Sequence, residues 1–307
     1  MSPRHFLDLA DHSAAELRMI LDASAAMKRA RAGLPRGSPD RARVLEGRVV
    51  ALVFEQPSTR TRVSFQVGIH QLGGTCLTLS KQELHLGRGE TIADTARVLS
   101  RYVDAILLRT DDHAKLLELA RHASVPVVNG LTDKGHPCQV MADIETFEEA
   151  RGPIGGKKIA WVGDTNNVAL SWIEAAAKFK FRLALAAPAP YRPQAEVLAR
   201  ARKEGAEIEI AESAAAAVSG ADAVSTDAWV SMTHQDRDAR LAAFGPYQVN
   251  EALMAKAPGA VFLHCLPAHR GEEVTDGVLD GPQSLAWDEA ENRLHVQKAI
   301  LRWCFDV

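Results

Sequence analysis

The chain has 307 residues, 47% of them hydrophobic, which is sufficient for two domains with separate cores. Its formal net charge of -3 at pH 7 provides no electrostatic basis for binding nucleic acid or an anionic membrane surface. No apolar run reaches the roughly 18 residues of a membrane-spanning helix, and the N-terminus lacks a signal-peptide core, so we expect a cytoplasmic protein without a membrane partner.

The first half of the chain alternates short apolar runs with segments of helical periodicity. Residues 48–54 predict a buried strand, and the apolar residues that follow at helical spacing predict a helix that ends at Gly73. Further strands are predicted at 75–79, 104–108 and 126–129, with helices at 91–101 and 112–122. Such alternation is typical of a parallel sheet wrapped by helices.

The same pattern begins again after a cluster of helix-breaking residues at 151–156, which we interpret as a domain boundary. A long helix, about 138–150, precedes this cluster. Strands are then predicted at 158–162, 182–186, 207–210, 223–226 and 260–264, with helices at 169–178, 193–203 and the alanine run 214–217. The expected fold class is α/β, with two doubly wound parallel-sheet domains joined by long helices.

The junction between the first strand and its helix has the sequence Ser58-Thr59-Arg60-Thr61-Arg62. Backbone N–H groups at a helix N-terminus have no partner within the helix, and the helix dipole adds partial positive charge, so such termini bind anions. The hydroxyl and guanidinium groups strengthen that tendency and predict a phosphate site. A capped helix start with solvated arginines is the alternative.

Ligands of such sheets bind beyond the carboxyl ends of the strands, and Arg109 directly follows a predicted strand at that edge. The sequence G-x-x-x-x-G-K-[ST] does not occur, and residues 162–166 lack the glycines of a dinucleotide fingerprint. We therefore expect no nucleotide cofactor.

Separate segments, in the family's order, resemble motifs of the aspartate/ornithine carbamoyltransferase family. The run 58–62 resembles its carbamoyl-phosphate signature, and the His-Pro-Cys-Gln segment 136–139 resembles its second substrate motif. Residues 227–232 resemble the loop that holds ornithine, and in 262–269 a Cys-Leu pair replaces the Pro-Leu of the aspartate branch. The matches extend from near residue 45 to Lys298, and by this resemblance the chain is identified as a member of the ornithine branch.

The resemblance implies transfer of the carbamoyl group of carbamoyl phosphate to the side-chain amine of L-ornithine, giving L-citrulline and phosphate, with no cofactor and no metal. Thr61, Arg109 and His136 would surround the carbonyl oxygen, and Gln139 would hold the carbamoyl amine. Attack by an amine places negative charge on that oxygen, where fixed donors stabilise the transition state. The implied carbamoyl-phosphate site comprises Ser58, Thr59, Arg60, Thr61, His85, Arg109, His136, Gln139, Cys265, Leu266 and Arg293.

By the same resemblance, the amino acid is bound by Asn167, Asp227, Ser231 and Met232. A carboxylate suits the ammonium groups of ornithine, whose side-chain nitrogen must lose a proton before it attacks. Cys265 would contact this nitrogen without a covalent role, because carbamoyl phosphate is already an activated donor. From the residues alone, a helix cap at 166–167 and a turn at 227 are the alternatives. The expected catalytic residues are Arg60, Arg109, His136, Asp227 and Cys265.

The segment 288–298 opens the last predicted helix and contains Arg293. Its family counterpart reaches carbamoyl phosphate, whereas spacing alone favours a surface pair with Glu289. We expect a carbamoyl-phosphate domain at 1–150, an ornithine domain at 151–288 and a C-terminal helix at 289–307 that returns to the first domain. Closure of the two domains would exclude water from the donor. The resemblance also implies a homotrimer with active sites shared between subunits.

Two positions depart from the family pattern. His85 stands where the family usually has Gln, in a loop that reaches a neighbouring subunit's active site in relatives. A histidine there adds a group that titrates near neutral pH and predicts pH-dependent phosphate binding, unless the loop makes no such contact. Thr233 follows Ser-Met where the family has Gly, which restricts the backbone and predicts altered loop closure or amine preference.

Three other functions stay open on the residues. One is a related transferase for putrescine, an acylated ornithine or aspartate, and another is an inactive binding or regulatory homologue. A metal-dependent enzyme is the third, although Pro267 opposes the helix that would align Cys265 with His269. Its ligands would come from His264, Cys265, His269, His136 and Cys138. The four cysteines have no regular spacing, which favours reduced thiols.

Overall fold

The computed structural model describes residues 3–83, 89–230 and 235–307. Within these ranges the chain forms two parallel sheets surrounded by helices, which confirms the predicted α/β fold. The structure divides into two compact units, one formed by Met1–Met141 with Arg293–Val307 and the other by Ala142–Asn292. The predicted site residues His85, Ser231 and Met232, and the departure at Thr233, lie outside the described residues.

The first unit is built on a four-stranded sheet with the order β2-β1-β3-β4. Its elements are α1 (Ala14–Ala30), β1 (Val49–Phe54), α2 (Thr59–Gln71), β2 (Thr75–Ser80), α3 (Ile92–Leu99), β3 (Ala105–Arg109), α4 (His113–His122), β4 (Val127–Leu131) and the start of α5 (Pro137–Arg151). The apolar runs of β1 and β3 are buried, as expected for central strands with helices on both faces. Chain order reverses between these two strands, and their register pairs Phe54 with Arg109.

The second unit is built on a five-stranded sheet with the order β7-β6-β5-β8-β9. Its strands are β5 (Lys158–Val162), β6 (Arg182–Ala186), β7 (Glu207–Ile210), β8 (Ala223–Thr226) and β9 (Val261–His264). Its helices are α6 (Asn167–Phe179), α7 (Ala195–Lys203), α8 (Ala214–Val218), α9 (Arg237–Phe244), α10 (Glu251–Met254) and α11 (Asp276–Leu279), followed by α12 (Ala286–Cys304). Chain order reverses between β5 and β8, so the carboxyl ends of these strands flank the crevice where sheets of this kind bind ligands.

Two long helices run from one unit into the other. The division falls inside α5, between Met141 and Ala142, and inside α12, between Asn292 and Arg293. The beginning of α5 and the end of α12 therefore belong to the first unit. No helix in the described ranges is both long enough and apolar enough to cross a membrane.

Candidate active site

The anion site predicted at residues 58–62 lies at the carboxyl end of β1. Helix α2 begins at Thr59, and the Ser58 hydroxyl caps it by accepting from the Thr61 N–H at 3.4 Å. The capping alternative is thus correct for Ser58. The cap does not compete with anion binding, because it satisfies only one backbone N–H group. The positive end of the helix dipole still lies at this edge of the sheet.

The Thr61 hydroxyl joins two guanidinium groups that come from distant parts of the chain. Arg109, at the end of β3, donates to its Oγ1 at 3.2 Å, and Arg293, on α12, donates to the same atom at 2.7 Å. Thr61 is fully buried, and Arg293 is only 3% exposed, which excludes a surface position for this arginine. Two fixed cations therefore converge on one buried oxygen next to the N-terminus of α2.

His136 lies immediately before α5, which begins at Pro137, one residue earlier than predicted. Its side chain is 3% exposed, and burial lowers its pKa well below the ordinary value, helped by repulsion from Arg293, Arg109 and Arg60 in that order. The imidazole is therefore neutral at physiological pH, and it can donate one N–H to a ligand. Gln139 is fully buried, and its backbone N–H donates to the His136 carbonyl at 3.0 Å.

Glu55, which sequence reasoning passed over, fastens the ends of β1 and β3 to each other. Its buried carboxylate accepts the Thr110 hydroxyl and receives Lys115 Nζ at 3.1 Å on both oxygens. Its backbone N–H donates to the Arg109 carbonyl at 2.9 Å. The position of Arg109 is therefore fixed by main chain and side chain together.

A cavity of about 510 Å³ beside Glu55 is lined in part by Gln56, Ser58, Arg62 and Lys81.

In the second unit, three donors hold the carboxylate of Asp227, which follows β8. Asn166 Nδ2 donates to Oδ2 at 2.6 Å, while the Cys265 thiol at 3.1 Å and the Ala228 N–H at 2.7 Å donate to Oδ1. These residues follow β5, β9 and β8, so three strand ends meet at one carboxylate. Asp227 is partly exposed, and it can still accept from a cationic ligand.

Asn166 has two functions at this point. Its Oδ1 accepts from the N–H groups of Val168 and Ala169, which makes it the N-cap of α6, while its amide nitrogen donates to Asp227. The capping alternative is therefore correct for Asn166, and the contact with Asp227 is an addition that the sequence did not reveal. Asn167, which the sequence analysis expected to bind the amino acid, is the first residue of α6 and is partly buried.

Cys265 is a hydrogen-bond donor in this structure. Burial raises the pKa of its thiol well above the ordinary value, and the negative charges of Asp227 and Glu289 raise it further. The thiol is therefore protonated at physiological pH, whereas a cysteine nucleophile needs the thiolate. Its S–H group donates to Asp227, an arrangement suited to orienting a carboxylate rather than to attacking a substrate.

A buried histidine fixes the turn that contains Cys265 and Leu266. The Leu266 N–H donates to His264 Nδ1 at 2.9 Å, and His264 Nε2 lies 3.1 Å from the carboxylate of Glu273. Leu266 has a φ of +58°, so the turn places it in the left-handed region. Asp227, His264 and Cys265 could each offer a ligand atom within 4.8 Å of the others, but both His264 ring nitrogens and the thiol are already engaged in hydrogen bonds.

The predicted site residues thus fall into two groups at the carboxyl ends of the two sheets. The first unit contains Ser58, Thr59, Arg60, Thr61, Arg109, His136, Gln139 and Arg293, and the second contains Asn167, Asp227, Cys265 and Leu266. The first group is cationic and rich in donors, which suits a phosphate and a developing oxyanion. The second is built around one carboxylate, which suits an ammonium group.

Two family descriptions match consecutive parts of the chain. Residues 4–149 match the carbamoyl-P binding domain of aspartate/ornithine carbamoyltransferase, and residues 155–304 match its Asp/Orn binding domain.

Curated relatives and solved structures match over nearly the whole length. The ornithine carbamoyltransferase of Rhizobium johnstonii is 59% identical over 305 residues, which cover 99% of this chain and 99% of that protein. That of Rhizorhabdus wittichii is 57% identical over 302 residues, which cover 98% of this chain and 98% of that protein. The structure is similar to that of ornithine carbamoyltransferase from Pyrococcus furiosus, with a TM-score of 0.92, 47% identity and coverage of 98% of this chain and 96% of that one. It is also similar to the anabolic ornithine carbamoyltransferase from Campylobacter jejuni, with a TM-score of 0.92, 35% identity and coverage of 100% and 99%.

Proposed function

The chain belongs to the aspartate/ornithine carbamoyltransferase family, and we propose that it transfers the carbamoyl group of carbamoyl phosphate to the side-chain amine of L-ornithine, giving L-citrulline and phosphate. The observation that carries the choice of amine is the Asp227 carboxylate, held by Asn166, Ala228 and the Cys265 thiol. Ornithine brings two ammonium groups to such a site. Aspartate would bring a second carboxylate, which Asp227 would repel.

Carbamoyl phosphate binds at the first unit in this proposal. The first turn of α2 and the guanidinium group of Arg60 hold the phosphate, because orphan N–H groups and a fixed cation favour a dianion. Arg109, Thr61 and the neutral His136 direct donors at the carbonyl oxygen, and Gln139 holds the carbamoyl amine. Arg293 supports this set through the Thr61 hydroxyl.

The transfer is a direct displacement at the carbonyl carbon. The deprotonated side-chain nitrogen of ornithine forms the C–N bond, and the π electrons of the carbonyl group move onto its oxygen. Donors fixed around that oxygen stabilise the tetrahedral intermediate. When the intermediate collapses, the bond to the phosphate oxygen breaks, phosphate leaves with the electron pair, and the new amide nitrogen loses a proton. The catalytic residues in this scheme are Arg60, Arg109, His136, Asp227 and Cys265.

We further propose that the enzyme acts in the cytoplasm, in arginine metabolism, as a homotrimer. Exposed apolar side chains on β2 and α2 support self-association: Leu77 is 49% exposed and Val63 is 50% exposed, and among the described strands β2 is an edge strand of its sheet. Light scattering of the purified protein should give three times the mass of one chain, and a monomer at assay concentrations would contradict the proposal.

The function is tested by measuring carbamoyl transfer from carbamoyl phosphate to a panel of amines. We expect citrulline formation from ornithine, with kcat/KM for putrescine, an N-acylated ornithine and aspartate at least about a hundredfold lower. Putrescine lacks the carboxylate of ornithine, an N-acylated ornithine lacks one ammonium group, and aspartate has one ammonium group fewer and a second carboxylate. A higher kcat/KM for any of these three amines would overturn the choice of ornithine.

We expect full carbamoyl-transfer activity after treatment with a chelator. Loss of activity would favour the metal-dependent alternative.

A further inference from the structure

We propose that Arg240 is a positioning residue for the amino-acid substrate: it ties together the two chain segments that hold Asp227, and its loss weakens ornithine binding selectively. This inference rests on the proposed function. Arg240 lies on α9, outside every motif identified in the sequence, and it is only 6% exposed.

Two hydrogen bonds connect Arg240 to separate segments of the second unit. Its Nε donates to the Trp229 carbonyl at 2.6 Å, and its Nη2 donates to the Asp164 carboxylate. Trp229 comes two residues after Asp227, and Asp164 comes two residues before Asn166, which donates to Asp227. One guanidinium group therefore bridges the segment after β8 and the segment after β5.

Aromatic rings fix the plane of this guanidinium group. Its carbon lies 4.7 Å from the ring centroid of Tyr191 and 5.3 Å from that of Phe244, and Phe244 in turn stacks on Trp229 with centroids 5.7 Å apart. A cation over aromatic rings gains from their negative faces, and the planar fork serves both hydrogen bonds in one orientation. An ammonium group at the same position could make only part of this set.

The charge of Arg240 also offsets a repulsion that acts on Asp227. Burial raises the pKa of Asp164 to about 6, Arg240 opposes that rise, and the charges of Asp227 and Asp236 add to it. Asp164 and Asp227 are therefore close enough to repel each other. Removing Arg240 leaves Asp164 without its cation and the Trp229 carbonyl without its donor. The carboxylate of Asp227, which receives ornithine in the proposed function, then loses its fixed position.

The test compares Arg240→Met, Arg240→Lys and the control Arg237→Met in the full-length enzyme. Arg237 lies on the same helix, but it is 53% exposed and pairs with Glu272 at the surface. We expect Arg240→Met to raise the KM for ornithine at least about tenfold and to change the KM for carbamoyl phosphate by less than about twofold. Arg240→Lys should give an intermediate KM for ornithine, and Arg237→Met should resemble the wild type.

A purely structural role would lower the yield or thermal stability of the variants without this split between the two KM values, and that result would overturn the inference. An unchanged KM for ornithine in Arg240→Met would do the same. If Arg240→Met does not fold, Arg240→Lys decides by the same criterion. If the wild-type enzyme carbamoylates an amine other than ornithine, the proposed function is refuted and the inference about Arg240 is still tested. The variants are then compared by their KM for that amine or by calorimetric measurement of ornithine binding.

Discussion

Three guanidinium groups and a helix N-terminus occupy one small region of the first unit. Arg109 and Arg293 share the Thr61 hydroxyl as acceptor. Burial lowers the pKa of His136, and repulsion from these two arginines and Arg60 lowers it further, so the imidazole is neutral. Cations held this close repel one another, so a dianionic ligand relieves repulsion at the same time as it accepts hydrogen bonds. In the proposed function, donors held in this way are the condition for strong transition-state stabilisation.

Arg109→Ala and Arg60→Ala should each reduce kcat/KM for carbamoyl transfer at least about a hundredfold, the scale expected for losing one transition-state donor. Arg97→Ala provides the control, because Arg97 lies on α3 in an exposed pair with Asp94. Steady-state kinetics with ornithine and carbamoyl phosphate measure the effect. Near-normal turnover in either site variant would contradict the assigned roles.

The sequence located the residues whose position follows from the end of a strand, and it missed those whose partners are distant. Arg109 could be predicted because it directly follows a buried run, and parallel strands bring their carboxyl ends to one edge. Glu55 and Arg240 could not, because Thr110 and Asp164 become their neighbours only through the topology of the sheets. The one signal for Glu55 in the sequence was an acidic residue directly after a predicted strand.

At the scale of elements, α12 packs on α2 through a close approach at Gly68. A Cβ atom at this glycine would lie 3.1 Å from Lys298 Cγ, so the absence of a side chain lets the lysine stem pass. Lys298 is fully buried, and its Nζ lies 2.6 Å from the carboxylate of Asp40 and donates to Gln71 Oε1 at 3.0 Å. The helix that contains Arg293 is thereby held in register on the helix that contains Thr61.

Lys298→Met should lower the free energy of unfolding by about 3 kcal/mol, because it leaves Asp40, whose side chain is only 11% exposed, with one cationic partner fewer. Lys157→Met is the matched control: Lys157 pairs with Asp222 at the surface, with the two side chains 39% and 36% exposed, and its loss should cost less than about 1 kcal/mol. Urea unfolding at pH 7 measures both values. Equal effects of the two substitutions would contradict the assigned role of the buried pair.

His295, on the same helix, makes stability depend on pH. Burial lowers its pKa to about 3, with further lowering by Lys298, Lys28 and Arg31, whereas the pKa in the unfolded chain is about 6.5. The unfolded chain therefore binds more protons between these values, and stability falls as pH falls from 6.5 toward 3. His295→Gln should make the decrease in unfolding free energy between pH 7 and pH 5 smaller by about 2 kcal/mol. An unchanged decrease would show that this histidine is not buried in its neutral form.

The strands were easier to predict than the helices. Every strand of the two sheets begins or ends within about two residues of its predicted position, because short apolar runs between breakers are a strong signal. Helix α1 was missed, although Ser13 and Glu16 form the capping box that marks its start. Helices α9, α10 and α11 were also missed, since segments of four to eight residues have little periodicity and depend on tertiary packing.

At the scale of the whole molecule, chain order reverses once in each sheet, between β1 and β3 in one unit and between β5 and β8 in the other, and candidate site residues follow these strands. The fold class, and the expectation that ligands bind at the carboxyl edge of each sheet, could be derived from alternating strands and helices alone. The strand order could not, because it depends on which strands pair across long separations in the sequence.

All four cysteines are free thiols, and two of them, Cys138 and Cys304, are buried. Burial raises the pKa of Cys138 to about 12, so it is both inaccessible and protonated. Iodoacetamide at pH 7 should label the partly exposed Cys76 fastest in the native protein, with Cys265 slower because its pKa is raised well above the ordinary value. Peptide mass spectrometry measures the labelling, and all four thiols should react in denaturant. A disulfide-linked peptide, or labelling of Cys138 as fast as that of Cys76, would contradict this prediction.

The hydroxyl of Thr61 has two lone pairs, and both face guanidinium groups of its own chain. Because both lone pairs are engaged, this hydroxyl can form a further hydrogen bond only as a donor. A serine would keep this polarity, whereas valine, with almost the same shape, would leave a pair of arginines facing a methyl group. In the proposed site, the Thr61 hydroxyl therefore accepts hydrogen bonds from the protein and donates one to the ligand.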